Sequence, residues 1–106
     1  MKIDPKYLIY HDLIGLNVLG IPKSKFKIAR FSDFGKIIDE SKNMLITEKN
    51  KQVKKYIKKD HIFRFIIPNF EDNKEKNLIE EVNGFKIVGL PENRLRNLKK
   101  KRRIKK

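Results

Sequence analysis

The chain has 106 residues, with 27 Lys and Arg against 13 Asp and Glu, a formal net charge of +14, and no cysteine. That length allows one domain with a small core, and the missing cysteines exclude a disulfide framework, a cysteine nucleophile and thiolate zinc sites. No apolar run approaches the roughly 18 residues of a membrane span. The N-terminal stretch carries Asp4 and Asp12 without a signal-peptide cleavage pattern, and a reducing cytoplasm fits the composition.

The charge is uneven. Residues 94–106, RLRNLKKKRRIKK, hold nine basic residues and no acid, while residues 15–93 hold sixteen basic and eleven acidic. A dense basic tail on a moderately basic body points to a polyanion, most commonly nucleic acid; the plainer reading is a solvated extension.

In chain order, Asp4-Pro5 reads as a helix start, because Asp caps free amides and Pro has no N–H to lose. Leu8, Ile9 and Leu13 form one apolar stripe, to be buried on the sheet or on a partner protein, and Gly15 is the stop. Leu16 to Ile21 reads as a strand ended by Pro22. Lys23 to Phe31 alternates basic with apolar residues through Ile28, as either a strand or a basic loop. Ser32 to Gly35 reads as a turn.

Gly35 to Pro68 then carries four short strands: around Ile37-Ile38, Met44 to Thr47, Val53 to Ile57, and Ile62 to Ile67, with polar turns between them. Pro68 ends the last, and Asn69 to Asn77 reads as a surface loop. Asn83-Gly84 between Leu78–Val82 and Phe85–Val88 is a hairpin signal, which would set Val82 opposite Phe85 and Glu81 opposite Lys86. Pro91 opens a second helix that runs toward the basic tail. The organisation is an N-terminal helix over residues 1–15, an antiparallel β domain over 16–90, and a C-terminal helix with basic tail over 91–106.

Catalytic chemistry is not suggested. His11 and His61 stand alone, the paired acids Asp39-Glu40, Glu71-Asp72 and Glu80-Glu81 are scattered, and adjacent acids in strands face opposite ways. No glycine-rich phosphate loop is present. No residue is assigned a catalytic or metal-binding role. Phe63-Arg64-Phe65 could stack on bases, but a barrel this small needs its Phe residues inside, and core packing is the preferred reading.

His11-Asp12-Leu13-Ile14-Gly15-Leu16, then Gly35 with Asp39 to Leu45, then Phe63-Arg64-Phe65, then Val88-Gly89-Leu90-Pro91-Glu92-Asn93-Arg94-Leu95, occur in this order. The ordered set resembles archaeal ribonuclease P protein component 1 over nearly the whole chain. The resemblance implies an all-β, Sm-like or SH3-like small antiparallel barrel of about six strands with short N- and C-terminal helices. It also implies a noncatalytic protein subunit of an enzyme whose RNA removes 5′ leaders from precursor tRNA. Partners implied are the specificity domain of the ribonuclease P RNA, a small zinc-ribbon protein subunit and the other ribonuclease P proteins. No cofactor is expected on this chain; Mg2+ is expected on the RNA. The family usually has a second glycine shortly before the one matching Gly35, where this chain has Phe31-Ser32-Asp33-Phe34. Lys23 to Arg30 match no family pattern and receive no role.

On that reading Lys54, Lys55, Lys58, Lys59 and Arg64 are candidate RNA contacts on the barrel. Arg94, Arg96, Lys99, Lys100, Lys101, Arg102, Arg103, Lys105 and Lys106 are candidates in the tail. Leu8, Ile9 and Leu13 are candidate partner contacts. The competing reading is a ribosomal or Sm-type structural RNA-binding protein; an autonomous nuclease would need a catalytic cluster that the sequence does not offer.

Overall fold

The computed structural model describes the backbone of residues 5–71 and 74–94, and the side chains of 8–68 and 77–94. Six strands, β1 Asn17–Pro22, β2 Ser32–Glu40, β3 Met44–Lys49, β4 Gln52–Ile57, β5 His61–Glu71 and β6 Lys74–Asn83, form one antiparallel sheet. The order is β4-β3-β2-β1-β5-β6. The sheet curls on itself in a barrel-like way: Tyr56 of β4 and His61 of β5 lie 5.5 Å apart between ring centroids, although β3, β2 and β1 separate their strands in the sheet. Register shifts where β2 meets β1 and β3 mark bulges that bend the strand.

Alternation fills the core. Phe63, Phe65 and Ile67 of β5 point inward, as do Leu45 of β3 and Ile37 of β2, and Val18 of β1 lies between them. On β4, Val53 and Ile57 share a face as their spacing requires, and it is the outer one, at 55% and 41% exposed; Tyr56 takes the inner side against Phe34.

Several elements differ from the sequence expectation. The N-terminal helix is a 3-10 helix over Pro5–Tyr10, and the Asp4 cap lies outside the described residues. Lys23–Lys25 make a 3-10 turn, so Lys23 to Arg30 is the loop of the two alternatives. Ser32 to Gly35 is not a turn but the start of β2. Gly35, at φ +92, lies so close to the Glu48 carbonyl that a Cβ would sit 2.3 Å from its oxygen.

Pro68 does not end β5. The pairing of β5 with β1 stops at Ile66, so Pro68 lies where β5 has only β6 beside it, and a missing N–H is tolerated. Residues 69–71 and 74–77 are strand rather than loop. No hairpin forms at Asn83-Gly84: Asn83 is extended at φ −66, and its side chain accepts from the Phe85 amide to open a 3-10 turn over Gly84–Ile87. Glu81 faces Arg64, not Lys86. Residues 91–94 are helical.

Candidate nucleic-acid interface

The basic residues fall into two groups. One is interior. Lys58, in the 3-10 turn Lys58–Asp60 between β4 and β5, and Glu40, at the end of β2, are both fully buried and paired at 3.0 Å. Lys58 Nζ also donates to the carbonyls of Ser41 at 2.7 Å and Gly89 at 3.1 Å. Arg94 is 5% exposed and clamps both carboxylate oxygens of Glu40, at 2.6 and 3.2 Å. Its guanidinium further donates to the carbonyls of Ile87 at 3.1 Å and His11 at 2.9 Å. Burial lowers the Lys58 pKa from the ordinary lysine value, opposed by the Glu40 carboxylate; with the Lys42 carbonyl at 3.3 Å, four acceptors surround its three N–H donors.

This corrects two expected RNA contacts. Lys58 and Arg94 have no surface to offer a phosphate, because a buried charge must be paired and theirs are paired internally. Leu8 and Leu13, expected as partner contacts, are 1% and 0% exposed within the chain's own core. Ile9 is half-buried against that core and keeps some surface.

The second group is at the surface. Lys54 and Lys55 lie on β4, an edge strand, and Lys59 just beyond it; all three are exposed. They project differently: Lys54 shares the inner side with Tyr56, and Lys55 shares the outer side with Val53 and Ile57. Sequence reading missed Lys49 and Lys51, also exposed, at the end of β3 and in the turn that leads into β4. Arg64 is half-buried and committed: it pairs with Glu81 at 2.9 Å and covers the Phe31 ring at 3.8 Å. Arg96, Lys99, Lys100, Lys101, Arg102, Arg103, Lys105 and Lys106 lie outside the described residues.

Phe63 and Phe65 are fully buried, so they pack the core and do not stack on bases. His61 is half-buried. Its Nδ1 lies 2.8 Å from the Ile57 carbonyl, and its ring packs with Phe34, Tyr56 and Phe63. Among the described residues no three His, Asp or Glu side chains converge as a metal site, and no helix is long and apolar enough to cross a membrane.

A curled six-stranded sheet with a lysine-bearing edge defines a small basic protein of the all-β class. The family model described as Ribonuclease P/MRP, subunit p29 matches residues 6–97. Proteins named Ribonuclease P protein component 1 are similar over most of their length. That of Methanosarcina barkeri is 35% identical over 106 residues, covering 97% of this chain and 94% of the relative. That of Staphylothermus marinus is 32% identical over 99 residues, 92% and 98% of the two chains. That of Methanococcus vannielii is 31% identical over 99 residues, 92% and 89%. The chain belongs to the ribonuclease P/MRP subunit p29 family.

Proposed function

We propose that this chain is the RNA-binding protein subunit of a ribonuclease P whose RNA removes 5′ leaders from precursor tRNA in the cytoplasm. The observation that carries the reading is the family match over residues 6–97, which spans the exposed lysines of β4. The chemistry belongs to Mg2+ held by the RNA, and the chain itself is noncatalytic and binds no cofactor. The exposed ammonium groups of Lys54, Lys55 and Lys59 neutralise phosphates and fix the position of the RNA without reading its sequence. The basic tail beyond Arg94 follows the backbone in the same way.

The RNA surface engaged is the specificity domain. A small zinc-ribbon subunit and the other ribonuclease P proteins complete the assembly, with Ile9 a residual contact for a protein partner. Reconstitution tests the reading: leaving this chain out of an assembly of the cognate RNA and other subunits should lower cleavage of precursor tRNA or raise the magnesium it needs. Undiminished cleavage without it, or cleavage by the chain free of RNA, would contradict the reading.

A further inference from the structure

Beside β4 the inner side of the sheet runs on past the core and leaves an open hollow of about 250 Å3. Its aromatic wall is the pair Phe34–Tyr56, stacked nearly parallel with centroids 3.7 Å apart. Phe34 is the anchored member. It is 8% exposed, meets Phe63 edge-on, and occupies the space above Gly20, where a Cβ would sit 2.0 Å from the ring. Tyr56 is the half-buried, solvent-side ring. The platform is therefore rigid on one side and reachable on the other.

Polar groups converge on the same hollow. Gln52 and Lys54 alternate with Tyr56 on one side of β4, and Asn50 comes from the turn before it. Among the described residues the side chains of Asn50, Gln52 and Lys54 have no hydrogen-bond or ion-pair partner. The far wall is an Asp33–Lys49 ion pair at 3.6 Å, which removes the acid's repulsion of an anion. The turn itself carries a cost. Asn50 and Lys51 sit at φ +52 and +64, and the second position of such a two-residue hairpin turn suits glycine. A lysine held in the left-handed region places one more ammonium at the tip, and conformational strain of this kind clusters at functional sites.

A flat ring, two free carboxamides and flanking ammonium groups have the complementarity of a single-stranded nucleotide: a base face, a base edge and a phosphate. The volume lies below the roughly 300–1,000 Å3 of sites that enclose drug-sized ligands, and suits one base. We propose that this hollow holds one unstacked nucleotide of the RNA, its base on Tyr56, its edge read by Asn50 and Gln52, and its phosphate on Lys54. The proposal rests on the RNA-binding reading above and adds to it a contact that senses a base as well as backbone charge.

The test uses the full chain and a transcript of the ribonuclease P RNA from the same source. A photoreactive residue in place of Gln52 should crosslink to one unpaired nucleotide. That nucleotide is then made abasic and affinity is measured with wild type and Tyr56→Leu. Wild type should lose about tenfold to a hundredfold, the range of base stacking on an aromatic ring. Tyr56→Leu should start weaker by a similar factor and lose little more to the abasic change.

Because Tyr56 packs on Phe34, the double variant Asn50→Gly with Gln52→Ala, both exposed and with glycine accepting the positive φ at position 50, provides a second arm. There the abasic penalty should shrink at an unchanged unfolding midpoint. Equal abasic penalties in all three proteins, or crosslinks spread over paired regions, would overturn the pocket while salt-dependent binding by wild type upholds the RNA reading. Absence of salt-dependent binding by wild type would overturn that reading itself.

Discussion

Lys58 Nζ lies 3.0 Å from Glu40 Oε1, and neither side chain has any solvent-exposed surface. With Arg94 on the same carboxylate, two cations share one anion in the interior. The cluster ties the end of β2, the turn between β4 and β5, the His11 carbonyl and the segment 87–94 into one unit. The same cluster separates the basic residues that hold the fold from those exposed at the surface.

Glu40→Gln is expected to lower stability by about 3–5 kcal/mol, because it leaves Lys58 and Arg94 as buried like charges without their counter-ion. For a domain whose total stability is of order 5–15 kcal/mol, urea unfolding would read this as a large fall in midpoint. A shift of under about 0.5 kcal/mol would mean that the cluster is not dry.

Gly84 is the second device at this end. A Cβ there would lie 1.6 Å from the Lys58 carbonyl oxygen and 2.7 Å from that of His61, both backbone atoms. Gly84→Ala should therefore cost at least the roughly 1–3 kcal/mol of an overpacked core and disturb Lys58 with it. Gly15→Ala is the contrast. Nothing lies within 4 Å of its Cβ position, and only its φ of +96 opposes the change, so a cost of about 1 kcal/mol is expected. Equal costs in thermal unfolding would remove the packing argument.

What the sequence disclosed follows from where its signals are local. Met44 to Thr47 and Ile62 to Ile67 are short apolar, β-favouring runs, and both were legible as strands. The start of β2 was not, because Ser-Asp-Phe-Gly has turn composition, and its pairing with Gly20, Leu19 and Val18 of β1, distant in sequence, makes it strand. Residues 69–71 and 74–77 are mostly polar, so apolar periodicity had nothing to report there. Asn83-Gly84 misled because Gly84 is required by contact with the turn at Lys58, and not by a positive φ.

The site was legible in the same partial way. Within Lys58-Lys59-Asp60, sequence cannot tell the buried lysine from the exposed one; the distinction comes from Glu40, eighteen positions away. Arg94 looks like the first residue of the basic tail and is buried in the fold. The hollow beside Tyr56 joins β2, β3 and β4, and no single stretch of sequence contains it.

Replacing Lys54, Lys55 and Lys59 together by Ala should leave stability within about 0.5 kcal/mol, as for exposed positions generally. It should flatten the slope of log affinity against log salt by about 2 units, at roughly 0.7 per phosphate contact. RNA binding across a salt series checks this, and an unchanged slope would move the contact elsewhere.

The tail must be tested without touching Arg94. A chain ending at Asn93 loses the guanidinium that holds Glu40 and the His11 and Ile87 carbonyls, and should be less stable by about 3 kcal/mol or more than one ending at Arg94. The chain ending at Arg94 lacks the eight basic residues of 95–106. If roughly five of them engage phosphates, its salt slope should be flatter by about 3 to 4 units. Equal stability of the two truncations would contradict the structural role given to Arg94.

The measurement that meets the central claim most directly is recovery of this chain from its own cells with sequencing of the RNA bound to it. The account expects one dominant structured RNA, and expects the recovered particle to remove 5′ leaders from precursor tRNA. Recovery of ribosomal RNA in its place, or of no enriched RNA, would contradict it.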